Sequence, residues 1–112
     1  LEDAGCNPER TTGKIGVYTG TSPNLEWITR FAGKLDGTEQ FSSMLLNDRE
    51  FFSTQLAYKL NLHGPSITMQ TACSTSLVNI GAACQALQNG ACDAALAGGV
   101  TVSTPLRSGY VY

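Results

Sequence analysis

The clearest pattern of apolar and polar positions lies in the second half of the chain. Residues Ser66–Ala72 follow a Gly64-Pro65 break and are rich in Ile, Thr and Met, which predicts a strand. Beyond this run, apolar positions recur at steps of four and three, as on one stripe of a helix: Cys73, Leu77, Ile80, Cys84 and Leu87. We therefore predict a helix over Cys73–Asn89 that begins at a sharp strand-to-helix junction.

The rest of the chain alternates apolar runs with helical patterns. Ile15–Thr21 and Asp93–Val102 are short, largely apolar and interrupted by glycines, which is typical of buried strands. Asn47-Asp48-Arg49-Glu50 is a variant capping box that predicts a helix. This helix would place Phe52, Leu56 and Leu60 on one face and end at His63-Gly64-Pro65. The alternation of helices and buried strands predicts an α/β layered fold.

Four further segments have weaker patterns. Leu1–Gly5 is typical of the end of a helix that stops at its glycine. Asn24 is a candidate N-cap for a helix through Trp27, Ile28 and Phe31. The least regular segment, Ala32–Leu46, is predicted to be a loop with some helix, and Tyr110–Tyr112 is strand-like.

Charged residues avoid the region around the predicted Cys73 helix. Of the 7 Lys and Arg and the 9 Asp and Glu, only Asp93 lies within Leu60–Leu106. A helix without charge on any face is usually buried on every side. A membrane span is disfavoured, because polar side chains interrupt the run before it reaches about 18 apolar residues. We therefore expect the central helix of a large globular domain.

Overall composition excludes several functional classes. The chain has 112 residues and a net charge of −2, so it gives no basis for nucleic acid or an anionic membrane as a partner. Both ends look cut, and we expect residues 1–112 to be a piece of a larger domain. The four cysteines, namely Cys6, Cys73, Cys84 and Cys92, lack the close pairs of a zinc site. Without a secretory signal, reduced thiols in the cytoplasm are expected.

Cys73 is the candidate nucleophile. The unpaired amides and the positive end of the helix dipole in a first helical turn favour a thiolate. The junction resembles the nucleophile elbow of hydrolases, where such a turn presents a side chain to substrate. A cysteine on an apolar helix is more often inert core, and we keep that interpretation for Cys84 and Cys92. For Cys73, the two interpretations are evenly balanced on these grounds alone.

The segment from Thr71 to Leu77, Thr-Ala-Cys-Ser-Thr-Ser-Leu, strongly resembles the active-site cysteine motif of β-ketoacyl synthases. The match is closest to the ketosynthase domains of modular type I polyketide synthases, including those of hybrid peptide–polyketide lines. Other segments resemble their counterparts in the same order along the chain: Leu1–Gly5, Ile15–Gly20, Tyr58–Leu62, Gly64–Ser66, Ala83–Leu87 and Leu96–Val100. Only Ala32–Leu46 carries no such resemblance.

This resemblance implies a fold, a reaction and partners. The fold would be thiolase-like, with this chain in the N-terminal of two similar halves. Cys73 would accept an acyl chain from an acyl carrier protein as a thioester, and its N–H would contribute to an oxyanion hole. A malonyl-type extender on the phosphopantetheine arm of another carrier would lose CO₂ and attack that thioester. The strand before the cysteine would pair across a homodimer interface, and the chain itself would bind no cofactor or metal.

One departure concerns histidine. The family uses two histidines that come later in its sequence, and this chain ends before either motif. Its single histidine, His63, precedes a predicted strand of roughly 23 Å at 3.3 Å per residue, which separates it from Cys73. A catalytic base must come within hydrogen-bond reach of its partner. We therefore expect the isolated chain to hold the nucleophile without its partners, and to be inactive.

Other functions remain as alternatives. A condensing enzyme of fatty acid synthesis, or a thiolase acting on coenzyme A esters, shares the fold. Gly64-Pro65-Ser66 and the motif around Cys73 favour a carrier-dependent synthase over a thiolase. A non-catalytic, dimer-forming scaffold is disfavoured for the intact protein because Cys73 is present. A cysteine hydrolase is disfavoured because no histidine lies near Cys73.

Overall fold

The computed structural model describes residues 1–7, 10, 12–23, 29 and 36–102. The candidate cap Asn24 with its helix through Trp27, Ile28 and Phe31, and the strand-like Tyr110–Tyr112, lie outside the described residues. The elements, in chain order, are β1 Ile15–Thr21, α1 Gly37–Asn47, a 3₁₀ turn Arg49–Phe51, α2 Phe52–Lys59, β2 Ser66–Thr68, a 3₁₀ turn Ala72–Ser74, α3 Thr75–Gln88 and β3 Ala94–Val100.

The three described strands form one parallel sheet in the order β2-β1-β3. Thr19 of β1 pairs with Thr68 on one side and with Gly98 on the other. The connections from β1 to β2 and from β2 to β3 run in opposite directions along the sheet. Because both crossovers are right-handed by rule, their helices cover opposite faces. The predicted α/β layered fold is therefore confirmed.

Alternate residues of β1 supply the two halves of the core. On one face, Ile15 and Val17 pack with Ala57 of α2 and with Leu62. On the other face, Tyr18 packs with Ala83 of α3 and with Cys92. Burial raises the pKa of the Tyr18 phenol, and the neighbouring Cys92 adds to this rise. The sheet is thus sandwiched between α2 and α3.

Helix α1 occupies much of the segment predicted to be mainly loop. It begins with a capping box in which the Asp36 carboxylate accepts from the N–H groups of Thr38 at 3.1 Å and Glu39 at 2.9 Å. The Glu39 carboxylate accepts in return from the Asp36 N–H at 3.4 Å. The Asp-x-x-Glu spacing was present in the sequence, so the helical content of Ala32–Leu46 was underestimated.

The start and end of α2 also differ from the prediction. Asp48, and not Asn47, is the cap, since its carboxylate accepts from the Glu50 N–H at 3.1 Å and opens the 3₁₀ turn before α2. The Asn47 side chain instead donates to the Ser43 carbonyl at 2.8 Å. The helix ends at Lys59, short of His63-Gly64-Pro65, because Asn61 has a left-handed φ of 52° that a helix does not accept.

Strand β2 is shorter than predicted, whereas β1 has the predicted bounds. Pairing with β1 ends at Thr68, followed by one further bond from the Met69 N–H to the Thr19 carbonyl at 3.2 Å. Gln70 and Thr71 then lead out of the sheet toward the turn that opens α3. At the start of the chain, Leu1–Gly5 forms a turn with Gly5 at a φ of 68° and no described helix before it.

Helix α3 has one covered face and one open face. Asn79 and Ala83 are buried against the sheet. The stripe predicted to be core faces outward: Cys73, Leu77, Ile80, Cys84 and Leu87 are all exposed. The described residues alone do not bury this helix on every side, because no described element covers the second face; burial on every side stays a prediction for the larger domain. No described helix is long and apolar enough to cross a bilayer.

Candidate functional site

Cys73 lies at the carboxyl-terminal edge of the sheet, just beyond β2. It is the middle residue of the 3₁₀ turn Ala72–Ser74, which leads directly into α3. Its side chain is exposed. The predicted strand-to-helix junction is therefore confirmed, although the cysteine lies in a 3₁₀ turn and not in the first turn of the α-helix.

The backbone turns sharply at the residue before Cys73. Ala72 has a φ of 52°, in the left-handed region that residues with a Cβ rarely adopt. Such a conformation costs on the order of 1–3 kcal/mol and persists only where the surroundings hold it. This conformation lets the chain leave the direction of β2 and enter α3 within a few residues.

Hydroxyl groups hold this turn in place. The Thr71 N–H donates to Thr75 Oγ1 at 2.8 Å, which joins the two ends of the turn. Ser74 donates twice to Thr71: its N–H bonds the carbonyl at 3.2 Å, and its hydroxyl bonds the same carbonyl at 2.7 Å. The Ser and Thr residues around Cys73 thus have a structural use, since their hydroxyls replace backbone partners in a turn.

The backbone N–H of Cys73 lies one residue before the first N–H group that donates a hydrogen bond within the helix. The first two such bonds run from Ser74 N–H to the Thr71 carbonyl and from Thr75 N–H to the Ala72 carbonyl. N–H groups at this point of a helix have no intrahelical acceptor and lie at the positive end of the dipole. The Cys73 N–H is therefore suited to donate to a negatively charged oxygen next to the thiol.

Two glycines of neighbouring strands make room for the turn. A Cβ on Gly20, near the end of β1, would collide with the Met69 carbonyl oxygen and lie 2.6 Å from Thr75 Cγ2. A Cβ on Gly99 of β3 would lie 3.3 Å from the same Thr75 methyl group. The turn therefore packs directly on the backbone of β1 and β3, which explains glycine at these two positions.

Asn79 is a residue of this site that sequence analysis missed. It lies on α3 one turn after Thr75 and is completely buried. Its side-chain NH₂ donates to the Met69 carbonyl at 3.3 Å and to the Thr75 carbonyl at 2.9 Å. The signal in the sequence was an uncharged polar residue in an otherwise apolar stretch of helix, where a buried amide needs partners.

A second buried polar group holds β2 from the opposite face of the sheet. Ser53, at the start of α2, is also completely buried. Its hydroxyl donates to the Ile67 carbonyl at 2.9 Å and lies 2.7 Å from the Thr19 hydroxyl. Its N–H donates to the Thr68 hydroxyl at 3.1 Å. These bonds fix α2 to the ends of β1 and β2, from which the Cys73 turn extends.

The other three cysteines and the histidine lie apart from this turn. Cys6 is half-buried and packs against the Ile15 and Val17 side of the core. Cys92 is buried, as expected for a core thiol, whereas Cys84 is exposed on the open face of α3 and is not core in this chain. His63 precedes Gly64, whose N–H donates to the Ile15 carbonyl at 3.0 Å at the start of β1. Cys73 follows the opposite end of the strands. The structure therefore confirms that His63 and Cys73 are at opposite edges of the sheet.

Comparison with protein families gives one match over nearly the whole chain. The model of the family "Beta-ketoacyl synthase, N-terminal domain" matches residues 1–111. The chain therefore belongs to the β-ketoacyl synthase family. Its α/β fold is thiolase-like, as the resemblance implied.

Curated relatives are polyketide synthases. The chain is 44% identical over 119 residues to a subunit of the phenolphthiocerol/phthiocerol polyketide synthase of Mycobacterium tuberculosis, covering 98% of this chain and 8% of that protein. It is 44% identical over 109 residues to the pikromycin polyketide synthase component PikAII of Streptomyces venezuelae, covering 94% of this chain and 3% of that protein. The chain thus spans less than a tenth of these relatives.

Solved structures agree with this assignment. Ketosynthase twelve of the bacillaene polyketide synthase of Bacillus amyloliquefaciens matches with a TM-score of 0.80 and 30% identity, over 99% of this chain and 19% of that one. The ketosynthase of module 1 of the same synthase matches with a TM-score of 0.77 and 31% identity, over 98% of this chain and 20% of that one. Both similarities extend over the sheet and the Cys73 turn.

Proposed function

We propose that residues 1–112 form part of the N-terminal half of a ketosynthase domain in a polyketide synthase, with Cys73 as the nucleophile. The observation that carries this proposal is the position of Cys73. Its thiol is exposed at the carboxyl edge of a parallel sheet. It follows Ala72, whose backbone is left-handed, and it precedes α3, which has no side-chain cap at its start. Reactive groups in open α/β sheets occur at this edge.

The first step is transfer of an acyl chain to Cys73. The sulfur of Cys73 forms a bond to the carbonyl carbon of an acyl thioester on a carrier protein. The bond from that carbon to the carrier's sulfur breaks, and the carrier's thiol takes up the proton that Cys73 loses. The Cys73 N–H, which precedes the bonds of the helix, donates to the carbonyl oxygen while negative charge develops there.

The second step forms the carbon–carbon bond. A malonyl-type extender on another carrier loses CO₂, which leaves an electron pair on its α carbon. That carbon bonds to the acyl carbon held on Cys73, and the sulfur of Cys73 leaves as the thiolate. The histidines that the family uses in this step lie outside this chain. His63 cannot replace them, because it lies at the opposite edge of the sheet from Cys73.

The proposed partners are acyl carrier proteins that present acyl and malonyl-type groups on a phosphopantetheine arm. The exposed position of Cys73 supports delivery from outside, because a flexible arm can reach a thiol at the edge of the sheet. The reaction requires a free thiol, which reducing cytoplasmic conditions maintain. The chain contributes the nucleophile and its turn, and it binds no cofactor of its own.

A homodimer of the intact domain is part of the proposal. In the described sheet β2 is an edge strand, paired only with β1. Exposed edge strands are usually protected by charged residues, but Ser66–Ala72 contains none. Ile67 on this strand is 44% exposed. Pairing of β2 with the same strand of a second copy would cover this edge.

Condensation by the complete protein tests this function. The protein is mixed with an acyl carrier protein loaded with an acyl group and another loaded with malonate, and the carrier-bound β-keto product is measured by mass spectrometry. We expect product from the native protein and from Cys84→Ala, and none from Cys73→Ala. Product formation by Cys73→Ala at the native rate would refute the assignment of the nucleophile.

A further inference from the structure

Asn79 connects the two ends of the turn that carries Cys73. Met69 is the last residue bonded to β1 before the chain leaves the sheet, and Thr75 is the first residue of α3. The Asn79 NH₂ donates to the carbonyl of each, at 3.3 Å and 2.9 Å. One buried side chain therefore holds both the entry and the exit of the turn.

The chemistry of these contacts requires an amide. A carbonyl oxygen only accepts hydrogen bonds, so the group that faces Met69 and Thr75 must offer two donors from one atom. A carboxylate of the same shape would place a negative charge against both carbonyls, and an apolar side chain would leave both without this donor. Asparagine meets this geometry, whereas aspartate or leucine does not.

The other half of the amide is not used in this arrangement. Asn79 Oδ1 is buried and has no hydrogen-bond partner among the described residues. A buried acceptor without a partner is unfavourable, and an apolar residue at this core position would avoid that cost. The amide therefore contributes little as core packing, and its contribution lies in the two bonds across the turn.

We infer that Asn79 is a positioning residue that holds the Cys73 turn in its sharp conformation. The turn contains Ala72 at a φ of 52°, which relaxes unless the chain on both sides is fixed. Fixing Met69 relative to Thr75 keeps the Cys73 thiol and N–H in one arrangement toward the incoming thioester. This inference rests on the proposed function of Cys73.

Two variants of the complete protein separate the two bonds. In Asn79→Ser, the hydroxyl can bond the Thr75 carbonyl one turn back in the helix, but it is too short to reach Met69 as well. In Asn79→Ala, both bonds are lost. Gln55→Ala is the matched control, since the Gln55 side-chain amide also donates to a backbone carbonyl, that of Leu45 at 2.9 Å, but lies on α2 and outside the site.

Two measurements are made at a temperature where every variant is folded. One is the single-turnover rate of acyl transfer to Cys73, followed by mass spectrometry. The other is hydrogen exchange of the peptide that covers Met69–Leu77. We expect Asn79→Ser to slow acyl transfer about five- to tenfold, the factor expected from the loss of one net hydrogen bond, and Asn79→Ala to slow it at least as much. Their exchange in this peptide should be faster, while Gln55→Ala should keep the native transfer rate.

The outcomes separate this inference from the function on which it rests. If the native protein is acylated at Cys73 and the Asn79 variants react at the native rate, Asn79 does not position the turn. If Gln55→Ala slows transfer as much as Asn79→Ala, the effect is one of general stability and the inference fails. If the native protein is not acylated, the proposed function fails. In that case, faster hydrogen exchange of the Met69–Leu77 peptide in the Asn79 variants would still support the role of Asn79 in holding the turn. Exchange at the native rate in these variants would refute that role.

Discussion

Replacing Gly20 by alanine should disturb the Cys73 turn more than the same replacement at the other glycines near the turn. The added Cβ would collide with the Met69 carbonyl oxygen and lie 2.6 Å from Thr75 Cγ2. Carbon–carbon contacts are favourable at about 3.5–4.0 Å, so the turn must move away from β1. The Met69 carbonyl is also an acceptor of Asn79, and its displacement weakens that bond.

The expected loss of stability depends on the space available for a Cβ at each of three glycines near the carboxyl edge of the sheet. Gly20→Ala overfills a packed region, which costs about 1–3 kcal/mol of the free energy of unfolding. At Gly99 the nearest contacts would be 3.3 Å and 3.4 Å, so a smaller loss is expected. At Gly98 the Cβ would meet no described atom within 4 Å, and the change should stay within about 0.5 kcal/mol.

Chemical denaturation of the complete protein, with acyl transfer measured in parallel, tests this series. We expect stability to fall in the order Gly98→Ala, Gly99→Ala, Gly20→Ala, and transfer to Cys73 to be slowest in Gly20→Ala. Gly98→Ala is the control for the loss of glycine itself, since it lies next to Gly99 in β3. Equal stability and equal transfer rates for Gly20→Ala and Gly98→Ala would refute this packing argument.

Three further predictions concern stability and assembly. Ser53→Ala removes the bonds that fix α2 to β1 and β2, and chemical denaturation should show a loss of about 1–3 kcal/mol; an unchanged midpoint would mean that these bonds contribute nothing net. The intact domain should be a dimer by light scattering at micromolar concentration, and a monomer would argue against pairing through β2. The 112-residue chain alone should unfold without a cooperative thermal transition, because Leu77 is 73% and Ile80 45% exposed on the open face of α3. A sharp transition would show that this face needs no cover.

Features that depend on neighbouring residues in sequence were predicted well. The bounds of β1 follow from a short apolar run, and the junction at Cys73 follows from the change of period from strand to helix. The end of β2 was placed too late because Gln70 and Thr71 resemble strand residues in composition. The turn at Ala72, which ends the strand, has no marker such as glycine.

Features that depend on distant residues were not predicted. Gly20 and Met69 come together only when β1 and β2 pair, so the need for glycine at that position is visible only in the structure. The bonds of Asn79 require the same assembly. The open face of α3 is a further example. The absence of charge in the sequence indicates that this face is buried, but it does not show which part of the protein covers it.

Mapping the acyl group on the complete protein tests the central claim most directly. The protein is incubated with an acyl group on a carrier protein in the absence of extender, then digested, and the modified peptide is sequenced by mass spectrometry. We predict one acyl group per chain, on Cys73, which is exposed at the turn before α3. Cys84 is the internal control, because in this chain it is an exposed thiol on the open face of α3, which we expect the rest of the complete protein to cover. Acylation of Cys84 with Cys73 unmodified would contradict the account.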